Sequence, residues 1–169
     1  METPSEPRWL DHEERDAWIA LESILMRLPT ALDAHLQRDA GISHFDYLVL
    51  AGLSMVDDRT LRMSDLASFA GGSLSRLSQV VSRLEKRGWV TRRPDPTDGR
   101  FTIATLTAGG WDVVVAAAPG HVENVRCYVF DHLTRAQVRQ LAVIGRRVVG
   151  AIDPQHPALV GLPGTDTGT

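Results

Sequence analysis

A chain of 169 residues is long enough to bury one core, and its single cysteine, Cys127, excludes a fold stapled by internal disulfides. The formal net charge of −3 excludes a uniformly basic nucleic-acid coat. No apolar stretch approaches the roughly 20 residues of a bilayer-spanning helix, and no secretory signal pattern heads the chain, so a reducing, cytoplasmic setting without membrane contact is expected.

Residues 1–8 carry two prolines and no apolar rhythm, and 153–169 is rich in Pro, Gly and Thr; both are expected to be flexible tails. From Asp11 to Asp39, Trp18, Leu21, Leu25, Leu28, Leu32 and Leu36 recur at three to four residues, the spacing of a long amphipathic helix with Pro29 as a candidate kink. A second helix is expected from Ser43, its cap, to Val56. Ser64 is placed as the cap of a short helix to Ala70, Gly71-Gly72 as a turn, and Ser73 as the cap of a helix reaching Arg87, a helix-turn-helix arrangement.

On that last helix Leu74, Leu77, Val81 and Leu84 form the expected buried stripe, and Gly88 stands where a left-handed backbone closes the helix. Strand-like segments Trp89–Arg92 and Phe101–Leu106 flank the turn-forming run 94–99, which predicts a β-hairpin wing. Thr107 then caps a helix to about His132, bent at Pro119-Gly120, and Thr134 with Gln137 opens a last helix to Ala151. The fold class is therefore mainly α: about six helices with a two- to three-stranded β wing.

Charge is concentrated in one place. Between Ser73 and Ile103 seven basic residues stand against three acidic ones, a balance of +4 within a chain of −3, as expected for one polyanion-facing patch. A helix reading the major groove buries one face and shows short polar and forked basic groups on the other. Ser73, Ser75, Arg76, Ser78, Gln79, Ser82, Arg83 and Lys86 meet that requirement. Arg76 suits guanine and Gln79 adenine, whereas Arg83 and Lys86 suit phosphates. Arg92, Arg93 and Arg100 give the wing a basic character fitted to the minor groove, and Asp98 is spaced to orient Arg100.

The run Ser75-Arg76-Leu77-Ser78-Gln79-Val80-Val81-Ser82-Arg83-Leu84-Glu85-Lys86-Arg87-Gly88-Trp89-Val90, the wing Asp98-x-Arg100 and the pair Leu106-Thr107 resemble the multiple-antibiotic-resistance regulator (MarR) family. Gln79 and Arg76 depart from the arginine and the threonine or serine common at those places. The resemblance implies a bacterial transcription regulator, most often a repressor, that binds double-stranded DNA as a homodimer. A dimerisation region from 9–39 and 107–151 would flank a winged helix-turn-helix at 43–106. The apolar positions Val122, Val125, Val129, Leu133, Val138, Leu141, Ile144 and Val148 independently favour burial against a partner. A twofold dimer calls for a pseudo-palindromic operator with half-sites about 10 base pairs apart.

The resemblance also implies a cleft for a small aromatic or phenolic effector, for which Trp18, Met26, His44, Tyr47 and Trp111 are the candidates. Cys127 lies in an apolar stretch and is expected to be an inert packing residue. His12, His35, His44, His121, His132 and His156 show neither an i, i+4 pair nor a cysteine partner, so no metal or other cofactor is expected. No nucleophile elbow, phosphate loop or metalloprotease helix points to an enzyme. The competing reading, a winged-helix module that binds only protein, leaves the cationic set Arg76, Arg83 and Arg100 without a purpose.

Overall fold

Five of the six helices begin at a side chain that accepts a hydrogen bond from the first turn, so local sequence sets most element boundaries in the computed structural model, which describes residues 7–154. Asp11, Ser43 and Thr134 form complete capping boxes with Glu14, Asp46 and Gln137, opening α1 (His12–Ala40), α2 (His44–Ser54) and α6 (Arg135–Ile152). Ser73 and Thr107 cap α4 (Leu74–Lys86) and α5 (Ala108–Tyr128). The exception is α3 (Met63–Phe69), which starts without a side-chain cap: Ser64 lies inside it and donates to Asp65 at 3.1 Å, so its expected capping role is corrected. Pro29 and Pro119 sit within α1 and α5 without ending either helix. Beyond α5 the backbone tightens into a 3-10 turn, Phe130–His132, so the helix expected to reach His132 stops earlier.

The wing is a three-stranded antiparallel sheet in the order β1 (Thr60–Arg62), β3 (Thr102–Leu106), β2 (Val90–Pro94). Thr60 pairs with Thr105, Arg92 with Ala104 and Arg93 with Ile103. A Schellman closure sets the hairpin's departure from α4. Trp89 N–H donates to Leu84 O at 3.0 Å and Gly88 N–H to Glu85 O at 2.8 Å, with Gly88 at φ 74°, a backbone that a side chain resists.

One core unites α2, α3, α4 and the sheet: Val49, Leu50, Leu53, Leu66, Leu77, Val81 and Leu84 are fully buried there. Val80 joins them on α4, whereas Leu74, expected in that stripe, is 54% exposed because the helix's first turn projects past the core. A smaller cluster of Leu36, Ile42, Tyr47, Ala51 and Ala117 fastens this unit to α1 and α5.

The predicted α1 stripe is only half buried in the chain. Leu32 and Leu36 lie inside, while Trp18, Leu21 and Leu25 are exposed along with Ile19, Ile24 and Met26. No residue of α6 is buried, and Leu141, Ile144 and Val148 stand open on it. Cys127 is exposed, which corrects its assignment to packing. The tails expected at 1–8 and 153–169, and His156, lie outside the described residues apart from 7, 8, 153 and 154. Among the described residues no helix is long and apolar enough to cross a membrane.

Candidate nucleic-acid interface

The buried side of α4 fixes what its other side presents. With Leu77, Val80, Val81 and Leu84 turned inward, Ser75, Arg76, Gln79, Arg83 and Lys86 are exposed, and Ser78 and Ser82 are half-buried. Ser73 Oγ accepts from Arg76 N–H at 3.2 Å and orders the first turn. The Arg76 guanidinium lies 4.1 Å above the Phe45 ring of α2, a cation–π contact that steadies a long side chain otherwise free to sample many rotamers.

Two predicted cations carry ties to neighbouring elements. Arg83 Nη2 donates to the buried carboxylate of Asp46 at 2.5 Å, joining α4 to the start of α2 while its side chain stays half exposed. Arg92 is held twice by Glu85: its backbone N–H meets Oε1 at 3.0 Å and its Nε meets Oε2 at 2.8 Å. Its Nη1 also approaches Ser78 Oγ at 3.4 Å. Glu85 and Arg92 thus dock the wing on the flank of α4, and their charges offset each other. Arg93, the next residue on β2, remains exposed.

At the wing's turn Asp98 does what its spacing predicted. Its two carboxylate oxygens receive Arg100 Nε at 2.9 and 3.2 Å and Nη2 at 2.6 Å, a forked pair that aims a guanidinium whose side chain is 85% exposed. Hydrogen bonds from Arg100 hold the Asp98 carboxyl below the usual carboxylate range.

Sequence reasoning missed the brace beneath this turn. Arg62 on β1 donates through Nε and Nη2 to Asp95 Oδ2, both at 2.8 Å, and stacks 4.5 Å from the Phe101 ring. Asp95 Oδ1 accepts from Thr97 N–H at 2.9 Å and Thr97 Oγ1 at 2.7 Å. The hydrogen bonds from Thr97, then those from Arg62, push the Asp95 carboxyl down to about 2. The available signal was the alternation Thr60-Leu61-Arg62, three residues long, with Leu61 buried between two outward groups.

The predicted effector residues do not converge. Trp18 and Met26 lie on the open half of α1, and Trp111 packs on the main core with Arg59 4.1 Å above its ring. His44 and Tyr47 instead meet His121 of α5, with ring centroids 5.8 and 4.4 Å from it. Burial lowers the pKa of both histidines; Asp33 partly opposes this at His44, and His44 adds to it at His121. His121 Nδ1 is buried with no hydrogen-bond partner, which suits a neutral ring. Nearby, a cleft of about 630 Å³ lined by Pro29, Thr30, Asp33, His44, Phe45 and Arg76 connects α1 to α4.

A pH dependence follows. The fold favours the neutral form of both rings, so their contribution is complete above about pH 6.5 and declines as pH falls toward the lowered values. Urea midpoints at pH 7.5 and 5.5 are expected to fall further for the wild type than for His121→Gln; equal falls would remove the histidine pair from the account.

The MarR family model matches residues 40–100, from the end of α1 to the wing turn. A MarR family transcriptional regulator from Streptomyces coelicolor, Sco3205, whose crystal structure is a complex with DNA, is 44% identical, covers 89% of this chain and 94% of its own, and superposes with a TM-score of 0.83. The chain belongs to the MarR family. AbsC, a further MarR family transcriptional regulator from the same organism, is 32% identical with a TM-score of 0.81 over 88% of this chain and all of AbsC. The transcriptional repressor MprA of Escherichia coli is 26% identical over 113 residues, 67% of this chain and 64% of that repressor, just under two thirds of its length. This MarR protein therefore has the winged-helix fold of that family's transcriptional regulators.

Proposed function

We propose that this MarR regulator is a homodimeric repressor that reads a pseudo-palindromic operator, with 73–87 in the major groove and the wing 89–106 in the minor groove. The observation that carries the reading is the forked Asp98–Arg100 pair, which holds one exposed cation rigidly beyond the sheet. A guanidinium fixed in this way enters a narrow groove without losing further rotamer freedom, and the groove's enhanced negative potential attracts it. The outward set Ser75, Arg76 and Gln79 supplies base contacts, and Lys86, Arg93 and the half-exposed Arg83 supply phosphate contacts. The open apolar faces of α1, α5 and α6 supply the dimer interface.

A small aromatic or phenolic anion in the cleft beside His44 is the proposed release signal. That cleft is lined by Arg76 and Phe45, so an occupant competes with the stack that steadies Arg76. Gel-shift titration against the DNA upstream of the gene tests the reading. Arg100→Ala is expected to weaken binding by about tenfold to a hundredfold with an unchanged melting temperature. Absence of retardation at low salt, or retardation indifferent to Arg100→Ala, would refute it.

A further inference from the structure

Leu74 is out of place for a core residue. It occupies the first turn of α4, directly after the Ser73 cap, and is 54% exposed. Together with Met63, Ser78, Arg100, Phe101 and Thr102 it forms a concave, mostly apolar patch of about 350 Å³ between the recognition helix and the wing. Phe101 is itself exposed there. Ser78, one turn further along the helix, faces Arg92 of the wing, so Leu74 lies on the wing-side flank of α4.

The setting selects the occupant. The exposed guanidinium of Arg100 borders the patch, and the N-terminus of the 13-residue α4 adds partial positive charge, so a polyanion is the complementary partner. DNA carries few apolar groups accessible from its grooves: deoxyribose carbons, which are sequence-blind, and the C5 methyl of thymine, which marks one base in the major groove. That methyl stands close to its own strand's backbone, where the flank of a groove-lying helix passes.

We infer that Leu74 is a specificity-determining residue that packs on a thymine methyl in each half-site. The inference rests on the DNA-reading orientation proposed above. Arg76 and Gln79 then read hydrogen-bonding edges in the middle of the groove while Leu74 reads the methyl at its margin.

The test uses the full-length protein and a duplex that it selects from a random-sequence DNA pool. Each thymine is replaced in turn by uracil, which removes only the methyl group. One position per half-site is expected where uracil weakens the wild type about fourfold, the effect of one buried methyl at about 0.8 kcal/mol. Leu74→Ala is expected to bind the thymine and uracil duplexes equally and to melt as the wild type does, because its side chain is largely in solvent. Uracil effects that are absent, or the same in both proteins, would overturn the inference while leaving DNA binding intact. Selection of no sequence at all would overturn the orientation itself and the inference with it.

Discussion

Leu141→Asp combined with Ile144→Asp is expected to make the protein sediment as a monomer and to cost at least about a hundredfold in operator affinity. The two side chains lie on one face of α6, together with Val148, and none of the three is buried within the chain. A helix of 18 residues without a packed face is marginal in water, so α6 needs a surface to hold it. The exposed half of α1, with Trp18, Ile19 and Leu25, and the end of α5, with Val122 and Tyr128, offer more apolar surface of the same kind. Twofold pairing covers these faces mutually, and two buried carboxylates without partners would cancel that gain. Affinity follows because two tethered winged units bind with an effective concentration that one unit lacks, typically a factor of about 10² to 10⁴. A variant that stays dimeric, or a monomer with wild-type affinity, would remove the proposed dimer.

Which features were legible in the sequence follows from the range of the interactions that make them. The caps at Ser43, Ser73, Thr107 and Thr134 act over three residues, and the element starts they define agree with the structure. The left-handed closure at Gly88 and the Asp98–Arg100 fork are equally local. Strand β1 escaped because three residues carry little periodicity and their conformation is set by pairing with β3 more than forty positions away.

The same range argument covers the misassigned residues. Leu74 shares the helical period of Leu77 and Val81, but period does not reveal that the core ends one turn earlier. Trp18, Leu21 and Leu25 keep the rhythm of a buried stripe and lie in solvent within the chain, as a face made for a second chain would. Counting charges likewise could not show that Arg83 is committed to Asp46 and Arg92 to Glu85, pairings between separate elements. Of the seven cations in that segment, Arg83, Arg92 and Arg100 are each tied to a carboxylate, and only Arg100, whose side chain is 85% exposed, is aimed outward by its tie.

Gly110→Ala is expected to lower stability by about 3 kcal/mol, a fall of roughly 6–12 °C in melting temperature, and to weaken DNA binding more than that loss alone explains. Gly110 is buried in the first turn of α5, against the chain as it leaves α4. A β-carbon there would run into the carbonyl oxygen of Trp89 and come within 2.6 Å of Leu106 Cδ1. The Trp89 carbonyl cannot retreat, since it accepts Thr107 N–H at 3.0 Å, and Thr107 Oγ1 donates to Gly88 O at 2.7 Å. The variant therefore has to lift α5 away from the base of the wing. That junction is where the winged unit meets a helix of the proposed dimer region, so a shift of even an ångström is magnified at Arg100 and changes the separation of the two recognition helices. Thermal melting and gel-shift titration of the same preparation separate the effects: a reduced melting temperature with unaltered affinity well below the transition would show that this contact supports stability alone.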